Sequence, residues 1–257
     1  MSILIFDSGV GGLSVYQEIA KQLPELSVTY LFDNALFPYG ELTDDILIQR
    51  VCDLMQRALK KWSVELVVIA CNSASTLVLE PLRQMLAVPV VGVVPAIKPA
   101  AHQTQKACIG LLATPGTVSR TYTDNLIRDF APNVQVLRIG SSELVKLAEQ
   151  KLRQQPVAQL TIDEILSPWR HAEPKPDCVV LGCTHFPLLN QEIEQALGAD
   201  VMLVDSGAAI AKRVESLLGD RLTKERKLAI YCTEMNQEVS ELNPALSAMG
   251  FSSLKVF

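Results

Sequence analysis

The chain has 257 residues, 49% hydrophobic and 20% charged, which excludes a disordered protein and leaves room for about two domain cores. Its net charge of −5 is the wrong sign for a protein that lives on phosphate backbones, so nucleic acid is not expected as the main partner. The start, Met1 to Asp7, lacks a basic flank and a long apolar run, and the longest apolar stretch, Ala87 to Ile97, is broken by Pro89, Gly92 and Pro95. Neither an export signal nor a membrane span is expected, and a cytoplasmic location follows.

In chain order, the first predicted strand is Ile3 to Phe6, which delivers Asp7 to a Ser8-Gly9-Val10-Gly11-Gly12 loop ahead of a helix over Leu13 to Gln22. The glycines have the outline of a dinucleotide fingerprint, with Asp33 after the second strand as its ribose-binding acid. However, Ser14 stands where the third glycine belongs, and Asp7 would repel a pyrophosphate. A tight turn that admits a substrate to backbone N–H groups is the preferred reading, with Asp7 meeting an ammonium or assisting proton transfer. The plainer alternative is an Asp that caps the following helix. Strand Ser27 to Phe32 leads into the turn Phe37-Pro38-Tyr39-Gly40, where Tyr39 offers a hydroxyl and Gly40 a close backbone N–H. A helix over Asp44 to Lys61, a strand over Leu66 to Ala70 ending at Cys71, a helix over Ala74 to Met85 and a strand over Val90 to Val94 follow. Beyond these lie strands Cys108 to Ala113, Val134 to Ile139, Cys178 to Gly182, Met202 to Val204 and Leu228 to Tyr231. Helices over Ser119 to Phe130, Ser142 to Arg153, Asn190 to Leu197 and Ala208 to Leu218 are interleaved with them. Continuous apolar strands alternating with amphipathic helices predict an α/β fold with parallel sheets.

The chain also repeats itself. Glu65 to Ser73 aligns without gaps on Asp177 to His185, and the same offset of 112 places Val90 to Val94 on Met202 to Ser206. Upstream, Leu4 to Gly9 is similar to Leu111 to Gly116. Two similar α/β domains related by pseudo-twofold symmetry are therefore expected, with the active site in the cleft between them. Residues 1–95 plus 207–257 would form the first, discontinuous domain and 96–206 the second, the two crossings acting as a hinge.

Six cysteines, at 52, 71, 108, 178, 183 and 232, lack the spacing of a zinc ribbon or a redox pair, so free thiols in a reducing compartment are expected. Cys71 and Cys183 stand at equivalent strand ends ahead of helix starts, where ligands bind and thiolates are favoured. Cys52, Cys108, Cys178 and Cys232 lie inside apolar patterns and read as packing; Cys178 and Cys183 should point to opposite faces of a sheet. One thiol on each side of a bound molecule suits inversion of a carbon centre, in which a thiolate removes a proton from one face and a thiol delivers one to the other. His185, two residues after Cys183, is placed to tune it. His102 and His171 read as solvated. A Cys-His hydrolase would use only one of the matched cysteines, and a metal site from Cys71, Cys183 and His185 is disfavoured.

Taken together, Phe6 to Gly12, Pro38-Tyr39-Gly40, Ala70 to Ser75, Gly92 to Ala100, Leu112 to Val118 and Leu181 to Pro187 identify the chain as resembling the glutamate racemases of the cofactor-independent Asp/Glu racemase superfamily. The resemblance implies interconversion of L- and D-glutamate, supplying D-glutamate for peptidoglycan, with no cofactor and no metal, in a chain able to form a homodimer. It implies that Cys71 acts on D-glutamate and Cys183 on L-glutamate. Asp7 and His185 would assist the thiols, and Glu149 would be a further supporting acid. Asp7, Ser8, Tyr39, Gly40, Asn72, Ser73, Thr184 and His185 would hold the substrate. Two positions depart from the usual pattern: Ser73 stands where Thr is commoner, and Phe186 where Tyr is. Some relatives carry an N-terminal extension linked to activation by a cell-wall precursor; with Asp7 so near the start, that regulation is not expected here. The alternatives are a racemase for aspartate or another amino acid and a non-catalytic amino-acid-binding protein.

Overall fold

A computed structural model describes residues 2–219 and 226–257; Met1 and residues 220–225, which belong to the first predicted domain, lie outside the described residues. The first part of the chain runs β1 (Ser2–Asp7), α1 (Leu13–Gln22), β2 (Ser27–Phe32), α2 (Asp44–Lys61), β3 (Leu66–Ile69), α3 (Asn72–Met85) and β4 (Val90–Gly92). It continues with α4 (Ile97–Gln103), β5 (Cys108–Ala113), α5 (Pro115–Ser119), α6 (Thr121–Phe130), β6 (Gln135–Gly140), α7 (Glu143–Leu152), α8 (Gln159–Arg170), β7 (Cys178–Leu181), α9 (Asn190–Leu197) and β8 (Met202–Val204). The remainder is α10 (Gly207–Leu218), β9 (Leu228–Cys232), α11 (Gln237–Ser240), α12 (Asn243–Ala248) and β10 (Lys255–Val256).

These strands form two wholly parallel sheets, ordered β10-β9-β2-β1-β3-β4 and β6-β5-β7-β8. The block β2-β1-β3-β4 has the same order as β6-β5-β7-β8, and the repeat seen in sequence maps β3 onto β7 and β4 onto β8. The order reverses between β1 and β3 in the first sheet and between β5 and β7 in the second, and the crevice outside their carboxyl ends is where ligands bind in such sheets. Asp7 and Cys71 flank the first switch point, Thr114 and Cys183 the second.

Burial on both sheet faces accounts for the unbroken apolar strands. Along β1, Ile3 and Ile5 join one core cluster while Leu4 and Phe6 join another across the sheet, all fully buried. Each such side chain contributes about 1.5–3 kcal/mol of burial. In the second sheet Cys178 packs on one face and Cys183 on the other, as their spacing predicts. Cys108, Cys178 and Cys232 are buried and Cys52 half-buried, all six thiols free, whereas His102 and His171 are exposed.

After β4 the chain passes to the second sheet, and after β8 it returns. On return Ile210, Ala211 and Val214 of α10 pack with Leu13, Tyr16 and Ile19 of α1, and β9 and β10 extend the first sheet. The two passages are tied together, for Ser206 Oγ donates to the Val94 carbonyl at 2.5 Å. Among the described residues no helix is long and apolar enough to cross a membrane.

Candidate active site

Asp7, Ser8, Tyr39, Gly40, Asn72, Ser73, Thr184 and His185 line one pocket with Cys71 and Cys183. Residues of both sheets contribute, so the pocket lies between the two halves of the chain. Glu149, from α7, stands directly behind His185. The residues that the resemblance implies for the site are thus brought to one place.

The Cys71 side is built within the first half. Asp7 is fully buried, its Oδ1 accepting the Ser8 N–H and its Oδ2 the Gly12 N–H, both at 2.7 Å. Gly12 precedes the first turn of α1, so Asp7 also satisfies one of the free amides at that helix start. Burial raises the Asp7 carboxyl above the usual range, against the pull of the His185 charge, the two amides and the Cys71 thiol. Ser8 Oγ lies 3.7 Å from Cys71 Sγ. Burial and then the Asp7 charge push the Cys71 thiol well above its ordinary value, only partly offset by the Ala74 N–H and the Ser8 hydroxyl, so at rest Cys71 carries its proton.

The Cys183 side is a string of second-half residues. Cys183 Sγ lies 3.8 Å from His185 Nδ1, and His185 Nε2 is 2.8 Å from Glu149 Oε1. Burial opposes a charge on His185, but its bonds to Cys183 and Glu149 outweigh burial and hold the imidazole well above its ordinary range. A protonated His185 donates to Glu149 and places positive charge beside Cys183. Behind Glu149, Arg153 Nη1 lies 3.6 Å from Oε2.

The glycine loop departs from its expected use. Three of its amides face protein carboxylates, those of Ser8 and Gly12 bonding Asp7 and that of Val10 donating to Glu149 Oε1 at 3.0 Å, so these three are engaged within the protein. Gly12 has an ordinary φ of −61°, and its missing side chain matters because a Cβ would fall 2.8 Å from that of Ala70 and 2.7 Å from the Tyr30 hydroxyl oxygen.

At the far wall, Asn72 is buried with its Oδ1 lacking a partner. The Ser73 hydroxyl lies 2.9 Å from Thr114 Oγ1, a contact between the halves, and the Ser73 carbonyl accepts from Arg120 at 2.8 Å. Ser14 Oγ donates across the cleft to the Thr184 carbonyl at 2.8 Å.

The sequence matches the Asp/Glu/Hydantoin racemase family over residues 3–214. The chain belongs to that family. It is 51% identical to a glutamate racemase of Vibrio vulnificus, over all of this chain and 97% of the relative, and 52% identical to one of Vibrio cholerae, over 99% of this chain and 96% of the relative. Among solved structures it resembles Escherichia coli glutamate racemase in complex with L-glutamate and the activator UDP-MurNAc-Ala, with a TM-score of 0.95 and 46% identity over all of this chain and 97% of the other.

In this racemase Tyr39 lines the pocket and its hydroxyl donates to Asp33 at 2.6 Å. Arg50 Nε and Nη2 donate to the same fully buried carboxylate at 2.8 and 2.7 Å, and Thr233 Oγ1 at 2.7 Å. Burial would raise the Asp33 carboxyl, but these bonds together hold it below its ordinary range. Burial and Asp33 push the Tyr39 phenol far up, so it stays protonated as a donor. Gly40 sits so close to the second half that a Cβ would lie 2.7 Å from that of Thr114. Sequence reasoning missed the roles of Arg50, Thr233, Thr114 and Arg120, whose partners lie 17 to 200 residues off in the chain. The one available signal was Asp33 at a strand end beside Asp7, which the Asp33 N–H joins by bonding the Asp7 carbonyl at 3.0 Å.

Proposed function

We propose that this racemase interconverts L- and D-glutamate, with Cys71 and Cys183 acting in turn as acid and base on opposite faces of the α-carbon. The observation that carries this reading is that two thiols at equivalent strand ends of the two halves line one pocket, each with its own proton-handling neighbours. Starting from L-glutamate, the Cα–H bond breaks, the proton passes to a Cys183 thiolate, and the electron pair remains on the Cα-carboxylate system. Cys71, protonated at rest, gives its proton to the other face and becomes the thiolate that starts the reverse reaction. An anionic Cys183 has His185 as its counter-ion. The orphan Asn72 Oδ1 suits the substrate ammonium, since a buried acceptor without a donor costs about 1–3 kcal/mol until one arrives. The start of α3, directly after Cys71, offers free amides to a carboxylate. The L-glutamate complex of the E. coli relative supports glutamate as the ligand.

On the same reading residues 1–95 with 207–257 form one domain and 96–206 the other, hinged where Ser206 meets Val94; the product is D-glutamate for peptidoglycan, made in the cytoplasm. The test follows L-glutamate in deuterated buffer by optical rotation and deuterium entry at Cα, with L-aspartate in parallel. Turnover of glutamate that is lost in both Cys71→Ser and Cys183→Ser is the expected result. Activity on aspartate alone would move the assignment to that substrate, and full activity in both serine variants would end the two-thiol mechanism.

A further inference from the structure

We infer that Gly9-Val10-Gly11 of the first half is the seat on which the second half's Glu149–His185 string is assembled. The Cys183 side of the pocket is then complete only when the halves are closed together, whereas the Cys71 side is complete within the first half alone. This rests on the two-thiol reading above. Cys71, Asp7 and Ser8 stand at the ends of β1 and β3, neighbours in one sheet, and their hydrogen bonds to one another lie within the first half. Glu149 Oε1, by contrast, accepts from two halves at once: His185 Nε2 at 2.8 Å and the Val10 N–H at 3.0 Å.

The flanking glycines fit this use. Neither Gly9 nor Gly11 has a left-handed backbone angle, so conformational freedom does not explain them. Close approach does. A Cβ on Gly11 would lie 2.3 Å from His185 Nδ1, the nitrogen that faces Cys183, and a Cβ on Gly9 would lie 2.6 Å from Glu149 Oε1. Gly9 and Gly11 are therefore positioning residues for a thiol carried by the opposite half.

L- and D-glutamate have equal free energies in water, so any variant must lose kcat/KM equally in both directions, and one-sided damage is read from isotope effects instead of from kcat/KM. Gly11→Ala displaces the His185 ring and slows proton transfer at Cys183. Its kcat/KM should fall by about 10- to 100-fold in both directions, the range of a misplaced acid–base group. The α-deuterium isotope effect should then rise when L-glutamate is the substrate, because Cys183 breaks that bond, and fall when D-glutamate is. Ser8→Ala, on the Cys71 side, should give the mirror result.

Gly9→Ala should repeat the Gly11→Ala pattern at smaller amplitude, because its Cβ meets the ends of the Glu149 and Phe37 side chains, which are able to move. Thermal melting checks that each variant is folded, and Gly9→Ala carries the test should Gly11→Ala not fold. A folded glycine variant whose isotope effects are unchanged, or change alike from both enantiomers, overturns the inference. Failure of the underlying reading shows separately, as racemisation retained in the cysteine variants.

Discussion

Replacing Arg50 by Met removes both nitrogens that bind the Asp33 carboxylate, at 2.7 and 2.8 Å, while keeping most of the aliphatic stem. Asp33 is fully buried and Arg50 only 28% exposed, so the change strands a charge in the interior rather than loosening a solvated pair. Breaking such a pair from one side costs about 3–5 kcal/mol. The Tyr39 and Thr233 hydroxyls remain as donors, which places the expected loss near the lower end, about 3 kcal/mol, or roughly 6–12 °C in melting temperature for a chain of this size. The pH dependence separates this cause from a generic packing defect. Because the native Asp33 carboxyl is held below its ordinary value, its contribution is fully present above the unfolded value of about 3.9 and disappears as pH falls through the native value. Urea unfolding at pH 7 and at successively lower pH should therefore show the gap between unmodified protein and Arg50→Met shrinking in acid. Equal stability at pH 7, or a gap that stays constant into acid, would refute the argument.

Tyr39→Phe should lose about 1.5–3 kcal/mol of stability with its bond to Asp33, which urea unfolding at pH 7 checks. His185 gives the opposite pH sign from Asp33. Its native value is raised, so the stability from its ionic bond to Glu149 is fully present below the unfolded value of about 6.5 and is lost as pH rises through the native one. His185→Gln should accordingly cost about 1.5–3 kcal/mol at pH 6 and less in alkali, and a cost that grows with pH in paired melting curves would contradict the assignment.

The parts of the fold that were legible from sequence are those whose cause is local. Strands β2, β5 and β8 and helices α1, α2 and α9 have the bounds predicted for them, since an apolar run cut off by polar residues, or a clean helical stripe, carries its own ends. Helices α4 and α8 were not anticipated; each carries a proline, Pro99 and Pro168, which weakens a helical pattern. Strand β10 is a two-residue pairing on β9, which no periodicity can reveal. The site was legible for a different reason: repetition places Cys71 and Cys183 at equivalent strand ends, and the fold converts equivalence in sequence into opposition across a cleft.

The glycine loop shows where local reasoning stops. Its residues were singled out, and its position after β1 was right, yet the Ser8, Val10 and Gly12 amides and the open flanks of Gly9 and Gly11 face Asp7, Glu149 and His185. Glycine spacing reports that something comes close to a backbone without saying what, and here what comes close is a side chain some 140 to 175 residues away in the chain. The Asp33 cluster has the same character, for Thr233 reaches it from a segment 200 residues downstream that the sequence pass left without function. In both cases the residue that needs explaining is visible in sequence and the group that explains it is supplied by the other end of the fold. The two thiols were read from sequence because each sits in a repeated local pattern; the groups that poise them were only partly read, because poise depends on contacts that exist once the chain has folded.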